Sequence, residues 1–168
     1  MEGYKGNGVN LVYKEIDTIV GKLRLVASKE ALVAILWEKE RLNRVKLPNM
    51  TEDTDSSLFQ SVEAQLHEYF RGLRTSFNFP IEFVGTLFQI EVWNALKEIP
   101  YGKTVSYGEI ANKIARPKAV RAVGAAIGRN PLSIVVPCHR VIGNKGHLTG
   151  FAGGLDIKHQ LLTLEKKA

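Results

Sequence analysis

The sequence predicts an α/β protein with two unlike halves: a small sheet with one helix, then a mainly helical region containing a helix-turn-helix of winged-helix type. Three patterns support this prediction. Residues 9–37 show the alternation and the apolar runs of β-strands. Residues 55–73 change to the spacing of a helix. After residue 85, two capping-box patterns mark the starts of short helices.

The first half begins with strands. Val9, Leu11 and Tyr13 alternate with polar residues, and residues 31–37 form an apolar run suited to a buried strand. Residues 39–54 are charged and contain Pro48 next to an asparagine, so a loop is expected there.

A helix is predicted over residues 55–73, because apolar residues recur at intervals of four, four and three and Gly72 is suited to end it. The apolar positions are Leu58, Val62, Leu66 and Tyr69. His67 is a lone histidine in this helix, and we expect it to have a structural or surface position.

A boundary between two domains is expected near residues 80–86. Residues 77–83 contain Pro80, which favours a short edge strand or an extended linker. We therefore expect an amino-terminal domain over 1–80, a linker over 81–85 and a carboxyl-terminal domain over 86–168.

The second half is predicted to consist of short helices with clear ends. Thr86 with Gln89, and Ser106 with Glu109, form the two capping boxes. The first of these helices should stop before Pro100. A third helix is expected to have Pro117 in its first turn and to end at Gly128 and Pro131.

The last two of these helices have the proportions of a helix-turn-helix. On the third helix, Val120, Val123 and Ile127 form the side expected to be buried. The opposite side has basic residues at its ends and small side chains in the middle, which would let the helix approach a narrow groove closely. The alternative interpretation is that this side packs against another helix. Its members are Lys118, Arg121, Ala122, Ala125 and Arg129.

Composition limits the class of protein. At 168 residues with 45% hydrophobic content, the chain can bury a substantial core. No apolar run is long enough to span a membrane, and residues 1–5 lack the apolar region of a secretory signal. One cysteine can form neither an internal disulfide nor a multi-cysteine zinc site. A reducing, cytoplasmic location is therefore expected.

The net charge of +6 is concentrated in one segment. Residues 99–150 contain eight Lys or Arg and one acidic residue, whereas the rest of the chain has 15 basic and 16 acidic residues. Such a patch is typical of a protein that binds a polyanion. Chance clustering on a solvated surface is the alternative.

The single cysteine, Cys138, lies in the middle of the basic segment and has three interpretations: an inert core residue, a metal ligand or a nucleophile. His139 and Arg140 follow it directly, and cationic neighbours stabilise a thiolate, so a lowered pKa is expected for the thiol. Partners for a metal are lacking. A thiolate nucleophile also needs a base with an orienting group.

Glu165 is a candidate for the orienting group. It lies four residues from Leu161 and three from Leu162, so it shares a helix face with residues expected to be buried. A carboxylate there is unfavourable unless it is paired. A position at the solvated edge of the stripe is equally compatible with the pattern.

The segment Pro137-Cys138-His139-Arg140-Val141 resembles the active-site signature of the O6-alkylguanine-DNA alkyltransferases. The resemblance covers the second half from about Thr86 to Glu165. Its further elements are Trp93, Tyr107, Arg121-Ala122-Val123-Gly124, Asn130-Pro131 and Gly153-Gly154-Leu155. The first half matches only in length and coarse pattern, where the family has a ribonuclease-H-like sheet and helix.

The resemblance implies a single-use DNA-repair protein that binds duplex DNA, rotates O6-alkylguanine out of the stack and accepts the alkyl group irreversibly on Cys138. It implies that His139 is a base acting through a water, that Glu165 orients it, and that Asn130 braces the site through backbone hydrogen bonds. Tyr107 would help turn the nucleotide and hydrogen-bond the guanine ring.

The resemblance also implies DNA contacts in the minor groove. Arg121 would enter the stack in place of the extruded base. The other implied DNA-contacting residues are Lys118, Ala122, Ala125, Arg129, Thr104 and Ser106. No cofactor and no metal are implied, and we expect a monomer.

The implied substrate pocket is formed by Tyr107, Val136, Pro137, Phe151, Ala152 and Gly153. Phe151 and Ala152 stand where relatives often have tyrosine and serine, so a contact to O6 from this loop would need a backbone N–H. Thr149 replaces a glycine of some relatives and should narrow the pocket.

Two other functions stay open on the residues alone. One is a module that detects alkylguanine in DNA without repairing it, although such proteins lack the acceptor cysteine. The other is a hydrolase with a Cys-His-Glu triad, which would turn over repeatedly and would not need a basic patch.

Overall fold

A computed structural model describes residues 10–167; Val9, the other residues of the amino-terminal segment 1–9, and residue 168 lie outside the described residues. The first half contains a four-stranded sheet with the order β3-β2-β1-β4. Strands β1 (Leu11–Thr18), β2 (Gly21–Ala27) and β3 (Leu32–Trp37) pair antiparallel. Strand β4 (Met50–Glu52) pairs parallel with β1.

Strand β4 corrects the expectation of a continuous loop over residues 39–54. Three residues, two of them exposed, pair with Leu11, Val12 and Tyr13 at the sheet edge. A strand this short with no apolar alternation has no local signal, because its existence depends on a partner strand about forty residues earlier.

Helix α1 (Ser57–Phe70) lies within the predicted range. Val62, Leu66 and Tyr69 are fully buried, as the spacing predicted, whereas Phe59 is buried in preference to Leu58. His67 is partly exposed, and its Nε2 lies 3.8 Å from a Glu63 carboxylate oxygen.

The edge of the sheet at β3 joins the two halves of the chain. The Leu32 N–H donates to the Pro80 carbonyl at 3.0 Å, and the Glu82 N–H donates back to the Leu32 carbonyl at 2.9 Å. Farther along, the Ile35 N–H donates to the Pro131 carbonyl at 2.8 Å. One apolar cluster continues across this joint and includes Trp37, Leu66, Trp93, Cys138 and Leu161.

The second half begins with two helices whose starts were predicted correctly. In α2 (Leu87–Lys97), the Thr86 side chain accepts from the Gln89 N–H; in α3 (Tyr107–Lys113), Ser106 accepts from Glu109 in the same way. The reciprocal carboxamide and carboxylate contacts of both capping boxes are also present. A capping box involves only four consecutive residues, so the helix start that it marks can be predicted from the local sequence.

The remaining elements surround the cysteine. Helix α4 is Val120–Gly128, and helix α5 is Leu155–Lys166. The residues Cys138–Arg140 form one turn of 3-10 helix. Strand β5 (Val105–Ser106) pairs parallel with β6 (Val141–Ile142), and a second 3-10 turn spans Asn144–Gly146. None of the helices in residues 10–167 combines the length and the apolar character that a membrane-spanning helix needs.

Two expectations for α4 were wrong. Pro117 and Lys118 lie in a turn before the helix, closed by the Ala119 N–H and the Arg116 carbonyl at 2.9 Å. A proline at the second position of a turn satisfies the same φ requirement as the first turn of a helix, so both placements fit the sequence. Val120 is 39% exposed, because the first residue of α4 projects beyond the core that buries Val123 and Ile127.

Candidate active site

The cysteine follows a tight loop that is held by Asn130. This side chain is fully buried; its Nδ2 donates to the Val136 carbonyl at 2.9 Å, and its Oδ1 accepts from the Leu132 N–H at 3.0 Å. Ile134 within the loop has a φ of 76°, a conformation that β-branched residues rarely adopt. Asn130 therefore spans the base of the loop and fixes the residues before Cys138.

The Cys138 side chain is nearly buried, with 6% of the residue exposed. Burial raises the pKa of the thiol, against the opposing effects of hydrogen bonds from Asn130 and Ser133 and the positive charges of Arg44 and Lys158. The expectation of a lowered pKa was wrong. The flanking His139 and Arg140 side chains are engaged with Glu165, so the cations that neighbour Cys138 in sequence do not stabilise its thiolate.

His139 and Glu165 are paired in the interior. The His139 Nε2 lies 2.6 Å from the Glu165 Oε2, and both residues are at most 3% exposed. Among the described residues, the His139 Nδ1 has no hydrogen-bond partner. Burial lowers the pKa of His139, which favours the neutral imidazole. With Nε2–H donated to the carboxylate, Nδ1 is left as a proton acceptor.

Glu165 also accepts hydrogen bonds that the sequence did not predict. Tyr69 of α1 donates to Oε2 at 2.5 Å, Arg140 donates to both oxygens at 2.7 and 3.1 Å, and the Gly102 N–H reaches Oε1 at 3.3 Å. Burial alone would raise the pKa of Glu165, but hydrogen bonds, first from His139 and then from Arg140, hold it at about 2. The carboxylate is therefore ionised and fixed in orientation.

Tyr69 and Arg140 were not predicted as partners of Glu165. The Tyr69 hydroxyl acts on a carboxylate 96 positions later in the chain, and Tyr69 counted in the sequence only as an apolar position of α1. Arg140 was expected to stabilise the Cys138 thiolate and was counted in the basic patch, yet it is 7% exposed and contacts Glu165 instead. The only signal available was the difficulty of burying Glu165 without partners.

Lys158 is a further buried charge that the sequence analysis missed. Its ammonium group donates to the Val141 carbonyl at 2.6 Å and to the Thr149 carbonyl at 3.2 Å, and burial lowers its pKa. These bonds tie helix α5 to both ends of the 141–149 segment. The spacing of Lys158, Leu161 and Glu165 on one helix face could have indicated it.

The residues predicted to line the pocket differ in burial. Val136 and Pro137 are buried, and Phe151, Ala152 and Gly153 are half-buried. The Tyr107 hydroxyl and the Thr149 Oγ1 share a 2.6 Å hydrogen bond in which either oxygen can be the donor. Phe151 packs edge-on against Trp37 of β3, with ring centroids 5.4 Å apart.

The residues predicted to contact DNA lie mostly at the surface. Lys118, Arg121, Ala122, Ala125 and Thr104 are exposed. Ser106 is half-buried and its hydroxyl caps α3, and the half-buried Arg129 donates to the Arg44 carbonyl at 3.2 Å.

The basic segment also contains cations that are already paired. Lys113 forms an ion pair with Glu98, Arg116 with Glu91, and Arg140 with Glu165. Glu91 is in α2, Glu98 directly follows that helix, and all three acids lie outside residues 99–150. The surface is therefore less positive than the count of Lys and Arg in this segment indicated.

The family resemblance is confirmed by comparison with known proteins. Residues 87–167 match the family described as the 6-O-methylguanine DNA methyltransferase DNA-binding domain. Residues 11–83 match the 6-O-methylguanine DNA methyltransferase ribonuclease-like domain. The second match includes the half in which the resemblance rested only on length and coarse pattern.

Individual relatives agree. The methylated-DNA–protein-cysteine methyltransferase of Methanosarcina acetivorans is 46% identical over 155 residues, which are 92% of this chain and 98% of that protein. The inducible enzyme of the same name from Bacillus subtilis is 52% identical over 125 residues, 74% of this chain and 70% of that protein.

A solved structure matches along the same length. The crystal structure of Mycobacterium tuberculosis OGT in complex with DNA superimposes with a TM-score of 0.86, at 44% identity and 93% coverage of both chains. Its sheet-containing first half and helical second half correspond to the architecture described above. The chain with the buried Cys138 therefore belongs to the family of methylated-DNA–protein-cysteine methyltransferases.

Proposed function

We propose that this protein repairs DNA by direct reversal: it binds duplex DNA, extrudes O6-alkylguanine and transfers the alkyl group to the Cys138 sulfur, irreversibly and once per molecule. The observation that carries the proposal is the arrangement of Cys138 beside His139, whose Nε2 is bound to the ionised Glu165 and whose Nδ1 is left as an acceptor. A Cys-His-Glu set of this kind activates a thiol as a nucleophile.

The resting site holds a neutral thiol and a neutral imidazole. Burial raises the pKa of Cys138 and lowers the pKa of His139, so the ion pair of thiolate and imidazolium is disfavoured in the free protein. In the proposed reaction His139 Nδ1 takes the thiol proton through a water. Glu165 keeps the imidazole in the required tautomer and stabilises the imidazolium that forms.

The transfer is a displacement at a saturated carbon. The sulfur forms a bond to the alkyl carbon, the bond from that carbon to guanine O6 breaks, and the guanine leaves with the bonding electrons. Tyr107 stabilises the leaving guanine by donating a hydrogen bond to its ring. Asn130 keeps the loop before Cys138 in place through the two backbone hydrogen bonds described above.

Helices α3 and α4 are proposed to act as a helix-turn-helix on the minor groove of DNA. Ala115, with a φ of 60°, makes the turn between them. Ala122 and Ala125 present a flat surface for close approach, Arg121 fills the space of the extruded base, and extrusion costs a few kcal/mol. The remaining contacts are assigned to Lys118, Arg129, Thr104 and Ser106.

The extruded base is proposed to lie against Val136 and Pro137 on one side and residues 151–153 on the other. Because Phe151 and Ala152 lack hydroxyl groups, backbone N–H groups of this loop would contact O6. We also propose that residues 1–80 and 86–168 are the two domains, joined by the linker 81–85, and that the protein acts as a monomer without a cofactor.

The decisive experiment is intact-mass measurement after incubation with an O6-methylguanine duplex, followed by peptide sequencing. We expect one methyl group per protein on Cys138, and no further turnover when substrate is in excess. Cys138→Ser should abolish transfer and leave DNA binding largely intact. Repeated turnover would favour a hydrolase, and binding without any mass increase in the wild-type protein would favour a sensor of damaged DNA.

A further inference from the structure

The Glu165 carboxylate is contacted by a side chain of the first half, Tyr69 of α1. Tyr69 is fully buried, and its hydroxyl lies 2.5 Å from the Glu165 Oε2. The same oxygen lies 2.6 Å from the His139 Nε2. An ionised carboxylate can only accept hydrogen bonds, so Tyr69 and His139 both donate to this oxygen. Two donors therefore share one acceptor, and one of the two is the proposed base.

The Tyr69 hydroxyl makes Glu165 a weaker base. A hydrogen bond to the charged form of a carboxylate favours that form. Burial raises the pKa of Glu165, and the hydrogen bond from Tyr69 is among those that lower it, after the hydrogen bonds from His139 and Arg140. Burial, and then the charge of Glu165, raise the pKa of Tyr69, so its hydroxyl keeps its proton and stays a donor. With Tyr69 in place, Oε2 therefore attracts the imidazole proton less strongly.

We propose that Tyr69 is a positioning residue for alkyl transfer, whose hydroxyl holds the Glu165 Oε2 in place and limits the attraction of that oxygen for the His139 Nε2 proton. The inference rests on the function proposed above, in which His139 is the base. It assigns to helix α1 of the first half a direct influence on that base. Replacement of Tyr69 by phenylalanine would keep the ring among its aromatic neighbours but would remove the donor.

The other groups around Glu165 stay in place when the Tyr69 hydroxyl is lost. Arg140 donates to both carboxylate oxygens at 2.7 and 3.1 Å, and the Gly102 N–H lies 3.3 Å from Oε1. The other titratable groups nearby are Tyr101, Lys158 and the Cys138 thiol. Because the carboxylate remains anchored, loss of the Tyr69 hydroxyl should strengthen its hydrogen bond from His139.

The chain contains a matched control in Tyr101. Its ring meets the Tyr69 ring edge-on, with centroids 6.3 Å apart, and its hydroxyl oxygen is buried as well. Among residues 10–167, however, that hydroxyl has no hydrogen-bond partner. Tyr101→Phe therefore removes the same group from the same aromatic cluster without removing a donor to Glu165.

The test is the nuclear magnetic resonance signal of the His139 Nε2 proton in the free protein near neutral pH, assigned by its absence in His139→Gln. Such a proton moves to lower field as its hydrogen bond to a carboxylate strengthens. We expect Tyr69→Phe to move the signal to lower field and Tyr101→Phe to leave it in place. A signal that stays in place or moves to higher field in Tyr69→Phe overturns the proposal, and so does an equal movement in Tyr101→Phe.

If Tyr69→Phe does not fold, a fluorotyrosine incorporated at position 69 decides. Fluorine makes the phenol more acidic and therefore a stronger donor to Glu165, while the hydroxyl and the ring are kept. The His139 Nε2 proton signal should then move to higher field, opposite to its movement in Tyr69→Phe. No movement, or a movement to lower field, overturns the proposal.

The spectra use no DNA, so they separate this inference from the proposed function. A wild-type protein that transfers no alkyl group, with the signal moved in Tyr69→Phe, would refute the function and leave the effect of Tyr69 on the His139–Glu165 pair intact. A wild-type protein that transfers the group, with no movement in Tyr69→Phe, would refute this inference alone.

With both intact, the transfer rate supplies a second measurement. A stronger hydrogen bond to Glu165 makes His139 a stronger base, so the pH below which transfer slows should rise by about one unit in Tyr69→Phe. Tyr101→Phe should keep the wild-type profile. An unchanged profile in Tyr69→Phe also overturns the proposal.

Discussion

The Tyr107 hydroxyl and the Thr149 Oγ1 lie 2.6 Å apart, so the proposed donor to the guanine is already engaged in the free protein. Either oxygen can be the donor in this pair; we expect Tyr107 to donate, in which case the base must replace this hydrogen bond. The pair therefore sets a competition between Thr149 and the substrate for the same hydroxyl.

Two substitutions distinguish the effect of the Tyr107 hydroxyl itself from the effect of its hydrogen bond to Thr149. Tyr107→Phe should slow transfer about tenfold to a hundredfold, because it removes a donor to a leaving group that gains negative charge. Thr149→Val breaks the same bond but keeps Tyr107, so its transfer rate should equal or exceed that of the wild type. Single-turnover measurements on an O6-methylguanine duplex test both. Equal slowing in the two variants would contradict the competition.

Arg140→Lys should lower the free energy of unfolding by about 3 kcal/mol or more, since it breaks the two-point contact with the buried Glu165 and leaves that carboxylate poorly paired. Arg116→Lys is the matched control, because its partner Glu91 is at the surface and such pairs contribute about 0–1 kcal/mol. Urea denaturation of both variants measures the difference. Similar losses would mean that the Glu165 site does not depend on Arg140.

Acid should destabilise the protein in two stages. The pKa of His139 lies below its ordinary value of 6.5, so below pH 6.5 the unfolded chain takes up a proton first and stability falls. The pKa of Glu165 is held at about 2, against an ordinary value of 4.5. This difference contributes about 3 kcal/mol to the free energy of unfolding, which is fully present above pH 4.5 and is lost as pH falls toward 2.

The urea midpoint should therefore decline below pH 6.5 and decline more steeply below pH 4.5. Glu165→Gln should lose the steep part, whereas Glu82→Gln, at an exposed carboxylate, should keep the wild-type profile. A flat profile between pH 4.5 and 3 in the wild type would be inconsistent with an ionised, hydrogen-bonded Glu165.

Arg121→Ala should weaken repair of duplex DNA by about tenfold or more, because the extruded state would lose the side chain that occupies the vacated space. Reaction with a free O6-alkylguanine base should be nearly unchanged, since it requires no extrusion. Arg24→Ala, on the opposite half of the chain, serves as a control for the loss of charge. Equal losses on duplex and free base would refute the role assigned to Arg121.

The sequence was sufficient for features that depend on near neighbours. The capping residues Thr86 and Ser106 fixed the starts of α2 and α3, and the spacing in α1 identified most of its buried face. Strand β4 was missed because its signal lies in a distant strand. Pro117 was misplaced because a turn and a helix start require the same φ.

The contact between His139 and Glu165 agrees with the sequence analysis, whereas the electrostatics around Cys138 do not. Cys138, His139 and Glu165 were predicted as catalytic residues, yet the predicted direction of the thiol pKa was wrong, because burial and side-chain direction are not visible in flanking residues. The His139 and Arg140 side chains follow the cysteine in sequence and reach Glu165 in space. Tyr69 could not be found, because its hydroxyl acts across 96 residues.

Between Leu32 and Ile35, the outer edge of β3 is already occupied, because the backbone near the linker and the backbone of the thiol loop both hydrogen-bond to it. A strand from another protein therefore cannot pair with this part of β3. Strand β3 thus fixes the position of the loop that leads to Cys138. A shift of one residue in the pairing at Leu32 or Ile35 would move the Cys138 sulfur away from His139. A substitution that disturbs the sheet would therefore be observed as a loss of repair activity.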